Sequence, residues 1–419
     1  MSLDDAIRAA VADRFEEEIA FLASLVRHPS DNPPGDCAPH AAHAAGLLEA
    51  LGFTVERYPV PEETVRAAGM ISATNLVIRR RFGPEAGGGP VVALNAHGDV
   101  VAPGEGWHSD PYGAEIRDGR MYGRGAAVSK SDFATYAFAL LALQAAKAPL
   151  AGTVELHLTY DEETGGLLGP GWLLERGISR PDYAISAGFA YGVTIAHNGC
   201  LHLEVTVLGR SAHAARPETG VDALAGATAI LTTLYAFRSQ LAERVSAVPG
   251  IGHANLNVGL IAGGINTNVV PDKVTFRIDR RTIPEEDPQA VEQELRELIA
   301  QATVALPGIA TEVTQILVVR PMATVPGQER LVSALTDAAL VVLSETIGAE
   351  GTPIYCDARL YTERGIPTVL YGAGPRTMLE ANGHRADENL ALGDLRVATE
   401  VIALGLARLL AADVFLADF

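Results

Sequence analysis

Along the chain, stretches with apolar residues at helical spacing alternate with short, nearly continuous apolar runs. Residues 4–28 and 36–52 carry the helical period, separated by the turn-rich HPSDNPPGD, and FTVERYPV and TNLVIRR then alternate as strands do. PVVALNAHGDVV and TVELHLTYDEETGG differ, being apolar almost throughout and ending in polar residues. Such runs predict strands buried on both faces, with a functional edge beyond their carboxyl ends. Helices are predicted over 128–147, 328–347 and 393–412, and a further strand over 368–374. From about Gly199 the texture changes: CLHLEVTVLGR, a helix over 221–245, NLNVGLIAGG, DKVTFRIDRRTIP and a helix over 285–304 form a self-contained run. The fold class expected is therefore α/β: a mixed-sheet domain over 1–198 and 315–419, interrupted by a smaller α+β domain over 199–314.

Charge and composition exclude some partners. A net charge of −19 and a pI near 5.0 argue against nucleic acid, whose phosphates call for clustered Lys and Arg. No apolar run approaches the roughly 20 residues that cross a bilayer, and the N-terminus reads as an acidic amphipathic helix, so no membrane partner is expected. The 3 cysteines, Cys37, Cys200 and Cys356, are odd in number and widely separated. They suit a reducing compartment, and the expected location is cytoplasmic.

Candidate chemistry gathers at the predicted strand ends. His97-Gly98-Asp99 offers an imidazole with an acid positioned to orient it. Asp161-Glu162-Glu163 closes the second buried strand, where adjacent acids would otherwise read as a solvated turn. Gly383-His384-Arg385-Ala386-Asp387-Glu388 follows the strand over 368–374. Histidine and carboxylates from several strand ends are the donor set of a hydrolytic metal site.

At these residues the chain resembles the zinc-dependent family of acetylornithine deacetylase, succinyl-diaminopimelate desuccinylase, aminoacylase and glutamate carboxypeptidase. The resemblance is carried by NAHGDVVAPGEGWHSDPYGAEIRDGRMYGRGA, TYDEETGG, GRSAHAARPETGVDAL, GGINTNVVPDKVTFRIDRRTIP, YCDARLYTERGIPTVLYGAGP and GHRADENL. It implies a zinc-peptidase-like catalytic domain and an inserted dimerisation or lid domain. It further implies His97 as a ligand of one metal, Glu163 and His384 as ligands of the other, Asp99 as the orienting acid and Glu162 as the general base. His213 would polarise the scissile carbonyl across a homodimer, while Asn268, Arg281 and Arg359 would hold a small substrate and its carboxylate.

The chain departs from the family pattern at two ligand positions. The acid that bridges both metals falls on Val128 in GRGAAVSK, and the acid of the second metal falls on Gly188 in ISAGFA. Ordinary tight di-zinc binding is not expected from what remains, because catalytic zinc takes three protein ligands and water. On a helix over 128–147, Asp132 shares the face of Val128 and is the candidate replacement acid; His197 and His202 are weaker ones. The leading expectation is an amidohydrolase of deacylase or dipeptidase type with an altered, single-metal site, the divalent ion being zinc. Two other readings stay open: a metal-free binding protein on the same fold, and an enzyme of different chemistry, a lyase or isomerase.

Overall fold

The computed structural model describes residues 1–83, 88–377 and 379–411; Ala412, the last residue of the helix expected over 393–412, lies outside them. The chain divides into two compact units. The first comprises Met1–Ile195, Thr324–Ala349 and Cys356–Phe419, the second Ala196–Ala323 and Glu350–Tyr355. The short return Glu350–Tyr355 was assigned by sequence to the interrupted domain and falls instead in the second unit.

The first unit is built on a mixed sheet that runs Glu56–Pro59, Thr74–Phe82, Gly152–Thr159, Val91–His97, Tyr183–Ser186, Thr368–Leu370, Val193–His197. Its centre is parallel: Val91–His97 lies between Gly152–Thr159 and Tyr183–Ser186, and Thr368–Leu370 runs parallel to Tyr183–Ser186. These are the apolar runs of the sequence, and they are buried because helices cover the sheet. Helix Lys130–Ala145 is buried from Lys130 to Leu143, packed against Leu3–Asp13, Phe15–Val26 and Leu392–Leu409. That explains why it reads as apolar on all sides rather than amphipathic.

Register sets the functional edge. His97 pairs with Thr159, so Asp161, Glu162 and Glu163 emerge beside Gly98 and Asp99. Asn95 pairs with Ser186, which also pairs with Leu370, so Gly188 and Gly372 emerge beside each other on the next two strands. Four carboxyl ends thus converge, as open α/β sheets favour for binding sites.

The second unit is an antiparallel 4-stranded sheet, ordered Asn255–Gly263, Lys273–Thr282, Gly199–Leu208, Ala310–Val319. From Leu201 onward the strand Gly199–Leu208 alternates in burial: Leu201, Leu203, Val205 and Val207 pack against helices Ala223–Leu241 and Pro288–Thr303, while His202, Glu204 and Thr206 face the other way and are half-buried, with Cys200, on their face, fully buried. Asp222 and Asp287 cap the two helices through backbone N–H groups. The fourth strand, Ala310–Val319, runs past the boundary expected at 314.

Candidate functional site

His97 ends its strand with Nδ1 committed to Asp99. Nδ1 lies 3.0 Å from the main-chain carbonyl of Asp99 and 3.4 Å from its carboxylate. With Nδ1–H donating there, Nε2 is the nitrogen left to face the centre, 3.9 Å from Glu162 Oε2. Burial opposes a charge on this ring, yet Glu162, Asp99 and Glu163 outweigh it and hold the imidazole pKa well above its usual value.

Asp99 is itself fully buried and fixed by three donors: Asn32 Nδ2 at 2.9 Å and the backbone N–H groups of Glu162 and Glu163 at 3.3 and 3.2 Å. This one carboxylate orients His97 and pins the short turn carrying Glu162 and Glu163. The ligand atoms of His97, Glu162 and Glu163 all lie within 4.8 Å of one another. Glu163 Oε1 is buried with no aligned hydrogen-bond donor, 3.3 Å from His384 Nε2. The Glu163 carboxylate raises the pKa of His384.

The surroundings are crowded with acids. Burial, with Asp357 and Asp99 nearby, pushes Asp161 far above the carboxylate range, and burial does the same to Glu162 despite the attraction of His97. Asp357 is buried and also raised, first by burial, and its Oδ2 has no hydrogen-bond partner among the described residues. A buried site lined by carboxylates with unsatisfied oxygens is one that a cation stabilises. Asp357 was missed by sequence reasoning, although it stands in the quoted YCDAR segment next to Arg359. Its only signal was an acid after a cysteine in a loop, which is indistinguishable from surface polarity.

Glu388 has a different task. Its Oε1 accepts from the backbone N–H of Gly125, Ala127 and Val128 at 3.0, 3.1 and 3.2 Å, and its Oε2 pairs with buried Arg124. It shapes the turn that presents Val128.

Around Val128 and Gly188, where the resemblance leads one to expect acids, the structure is closed. Val128 supplies no donor and packs partly buried against the core. At Gly188 a Cβ would stand 2.8 Å from Tyr371 N and 2.9 Å from Leu370, so no side chain fits there. The strand ends are drawn together instead: Gly374 N–H donates to Gly188 O at 2.9 Å. Asp132 fills the remaining space. Its Oδ1 accepts from Ala373 N–H at 2.9 Å, and a Cβ at Gly372 would stand 2.0 Å from that oxygen. Burial raises its pKa to about 7. The helix begins at Lys130 rather than 128, so Val128 lies in the preceding turn and shares no helical face with Asp132. Asp132 is outside the His97–Glu162–Glu163 group, its carboxylate turned to the backbone of Ala373.

Arg359, expected on the substrate, is buried with Nη2 donating to Gly165 O at 2.6 Å and Nη1 paired with Glu363 at 3.1 Å. It braces the turn after Glu163.

In the second unit, His213 is exposed and bridges to Val269, next to Asn268, whose carbonyl accepts from Ala214 N–H at 3.0 Å. His213 Nδ1 accepts from Ala215 N–H at 3.1 Å, which leaves the proton on Nε2 and makes that nitrogen a donor. Arg281 is half-buried, with Nε at 3.0 Å from Asp279 Oδ1 and Nη2 at 3.1 Å from Oδ2. It lines a cavity of about 430 Å³ with Asn198, Ile251, Gly252, His253, Asn255 and Pro353.

Sheet topology and the acid-rich centre define a class, the two-unit metallohydrolases. Residues 93–408 match the model of Peptidase family M20/M25/M40, and the chain belongs to that family. It is a hydrolase of metallopeptidase type acting on carbon–nitrogen bonds. The chain is 30% identical to acetylornithine deacetylase of Myxococcus xanthus over 370 residues, 87% of this chain and 90% of that one. It is also 30% identical to succinyl-diaminopimelate desuccinylase of Methylobacterium sp. (strain 4-46) over 397 residues, 90% and 92% of the two chains. Among solved structures, the fold matches the M20 family metallo-carboxypeptidase Sso-CP2 of Sulfolobus solfataricus with a TM-score of 0.76 at 18% identity, covering 94% of this chain and 99% of that one. Members of the family bind divalent metals. Among the described residues no helix is long and apolar enough to cross a membrane.

Proposed function

We propose that this chain hydrolyses the amide bond of a small, carboxylate-bearing molecule, an N-acyl amino acid or dipeptide, at a centre built for one divalent cation. The observation that carries the reading is the convergence of His97, Glu162 and Glu163 within 4.8 Å, with Glu163 Oε1 buried and lacking an aligned donor. The relatives named as deacetylase and desuccinylase act on substrates of that kind by name. The donor set fits a single ion and does not fit the family's pair, since Val128 and Gly188 offer no ligand and Gly188 has no room for one.

His97, Glu163 and His384 would hold the ion, zinc first, and the ion would supply Lewis-acid activation. Glu162 takes the proton of the attacking water and returns it to the leaving nitrogen. Asp99 keeps His97 in the tautomer whose Nε2 is free, through the contacts to its Nδ1. His213, with its proton on Nε2, donates to the developing oxyanion, and Asn268 beside it binds a substrate polar atom. Arg281, on the wall of the 430 Å³ cavity, takes the substrate carboxylate. Arg359 serves by holding Gly165 and the turn above it.

A homodimer gives His213 its purpose, as donor to the partner's centre. The edge strand Asn255–Gly263 supports the assembly, exposing Leu260 (61%) and Ile261 (53%) on an unpaired edge. Among the described residues Cys37, Cys200 and Cys356 form no disulfide, in keeping with a reducing cytoplasm.

The test is metal analysis together with turnover of a panel of N-acyl amino acids and dipeptides by the wild type and Glu162→Gln. One equivalent at the centre and a loss of about 10²–10⁴-fold in kcat are expected. Turnover unchanged in Glu162→Gln would overturn the reading. Ligand-induced thermal stabilisation without any product would favour the binding-protein alternative.

A further inference from the structure

The polar face of the second unit's sheet carries a cluster that the hydrolytic centre does not use. Gly199–Leu208 and Lys273–Thr282 pair antiparallel with His202 opposite Asp279 and Cys200 opposite Arg281. Cys200 and His202, two residues apart, therefore project from the same face, and Asp279 projects beside them. Cys200 Sγ lies 3.1 Å from His202 Nε2 and 3.7 Å from Asp279 Oδ1, and the same Nε2 lies 3.6 Å from that Oδ1. Sulfur, nitrogen and oxygen thus form a small triangle.

The geometry separates two uses of such a trio. A nucleophilic relay needs the acid on one imidazole nitrogen and the thiol on the other, so that a proton passes through the ring. Here thiol and acid converge on Nε2, and no relay can run. Convergence on one point is the arrangement of ligands around a cation. Tetrahedral zinc, with Zn–S near 2.3 Å and Zn–N and Zn–O near 2.0–2.1 Å, separates its ligand atoms by about 3.3–3.6 Å. The observed edges of 3.1, 3.6 and 3.7 Å lie close to that range.

We infer that Cys200, His202 and Asp279 form a second metal site, independent of the hydrolytic centre, for a thiophilic divalent ion such as Zn²⁺ or Co²⁺. Binding replaces the thiol proton: the Cys200 S–H bond breaks, the proton leaves to solvent, and sulfur donates its pair to the ion. Soft sulfur beside imidazole selects zinc or cobalt over magnesium or calcium. Arg281 already contacts both oxygens of Asp279. A carboxylate has about four lone-pair positions, so the guanidinium and an ion share it. His202 is about one-third exposed, which gives the ion a route in.

The experiment titrates chelator-stripped full-length protein with Co²⁺ alone and records the near-ultraviolet band of sulfur-to-cobalt charge transfer. The hydrolytic centre's expected ligands, His97, Glu163 and His384, contain no sulfur. The wild type is expected to show the band, and Cys200→Ser and His202→Ala to lose it together with one equivalent of bound metal. A wild type without the band, or a band that survives in either variant, overturns the site. His202→Ala, which alters a partly exposed side chain and keeps the thiol, decides the matter alone if Cys200→Ser does not fold.

Discussion

The two halves of the hydrolytic ligand pattern have responded to the same fold in opposite ways. Around His97, Glu162 and Glu163 the chain gathers buried carboxylate oxygens that no aligned donor satisfies among the described residues: Glu163 Oε1, which has only His384 Nε2 at 3.3 Å, and Asp357 Oδ2. Around Gly188, Gly372 and Asp132 every space is filled, and the one acid present is bonded to Ala373 N–H and held near neutrality by burial, its pKa about 7. One half gathers carboxylate oxygens that positive charge would satisfy; the other is packed interior. Strand ends without a side chain at Gly188 and Gly372 thus close on each other and leave no hole.

The largest effect that would test this contrast is at Glu163. Glu163→Ala removes a ligand from the open half, and we expect loss of bound metal and a fall in kcat/KM of at least about 10²-fold, measured by metal analysis and steady-state kinetics. Full metal content in that variant would show that the open half is not the ion's seat.

Next in size is Gly188→Ala. With Tyr371 N at 2.8 Å from the added Cβ, the strand ends must part, at a cost of about 1–3 kcal/mol read from urea unfolding. An unaffected midpoint would mean the closed half is looser than its contacts indicate.

Asp132→Asn sharpens the same point through pH. An acid raised from the usual carboxylate range to about 7 binds more protons folded than unfolded between those values, so stability falls as pH rises through that window and stays low above it. The amide keeps an acceptor for Ala373 N–H and cannot ionise. Its gain over the wild type should be on the order of 1 kcal/mol above pH 7 and vanish near pH 4, followed by thermal unfolding across pH. A gain independent of pH would place the effect elsewhere.

The smallest expected effect belongs to Val128→Asp. Restoring this acid alone should add no equivalent of metal at the hydrolytic centre, since Gly188 and Asp132 keep the second position closed. An added equivalent would open the comparison again.

Much of this was legible along the chain. The apolar runs ending at His97 and Asp161 marked parallel strands and their functional edge, and the long motifs carried the family. Substitution at Val128 and Gly188 was equally plain, since a residue's donor atoms are known from its identity. What stayed hidden were consequences of approach between distant segments. Asp132 looked like a helical neighbour of Val128, whereas the helix starts two residues later and its carboxylate meets a strand end 241 residues away. Arg359 looked like a free anion clamp, and its burial against Gly165 depends on a turn far away in sequence.

The sequence alone therefore determined which elements form, in what order, and which ligand types are present or missing, because periodicity and residue chemistry are local properties. Only the tertiary structure decided which carboxylates stay unpartnered, that Gly188 leaves no room for a side chain, and that Cys200, His202 and Asp279 meet. Those outcomes turn on ångström-scale distances between segments far apart in the chain, set by strand register and core packing.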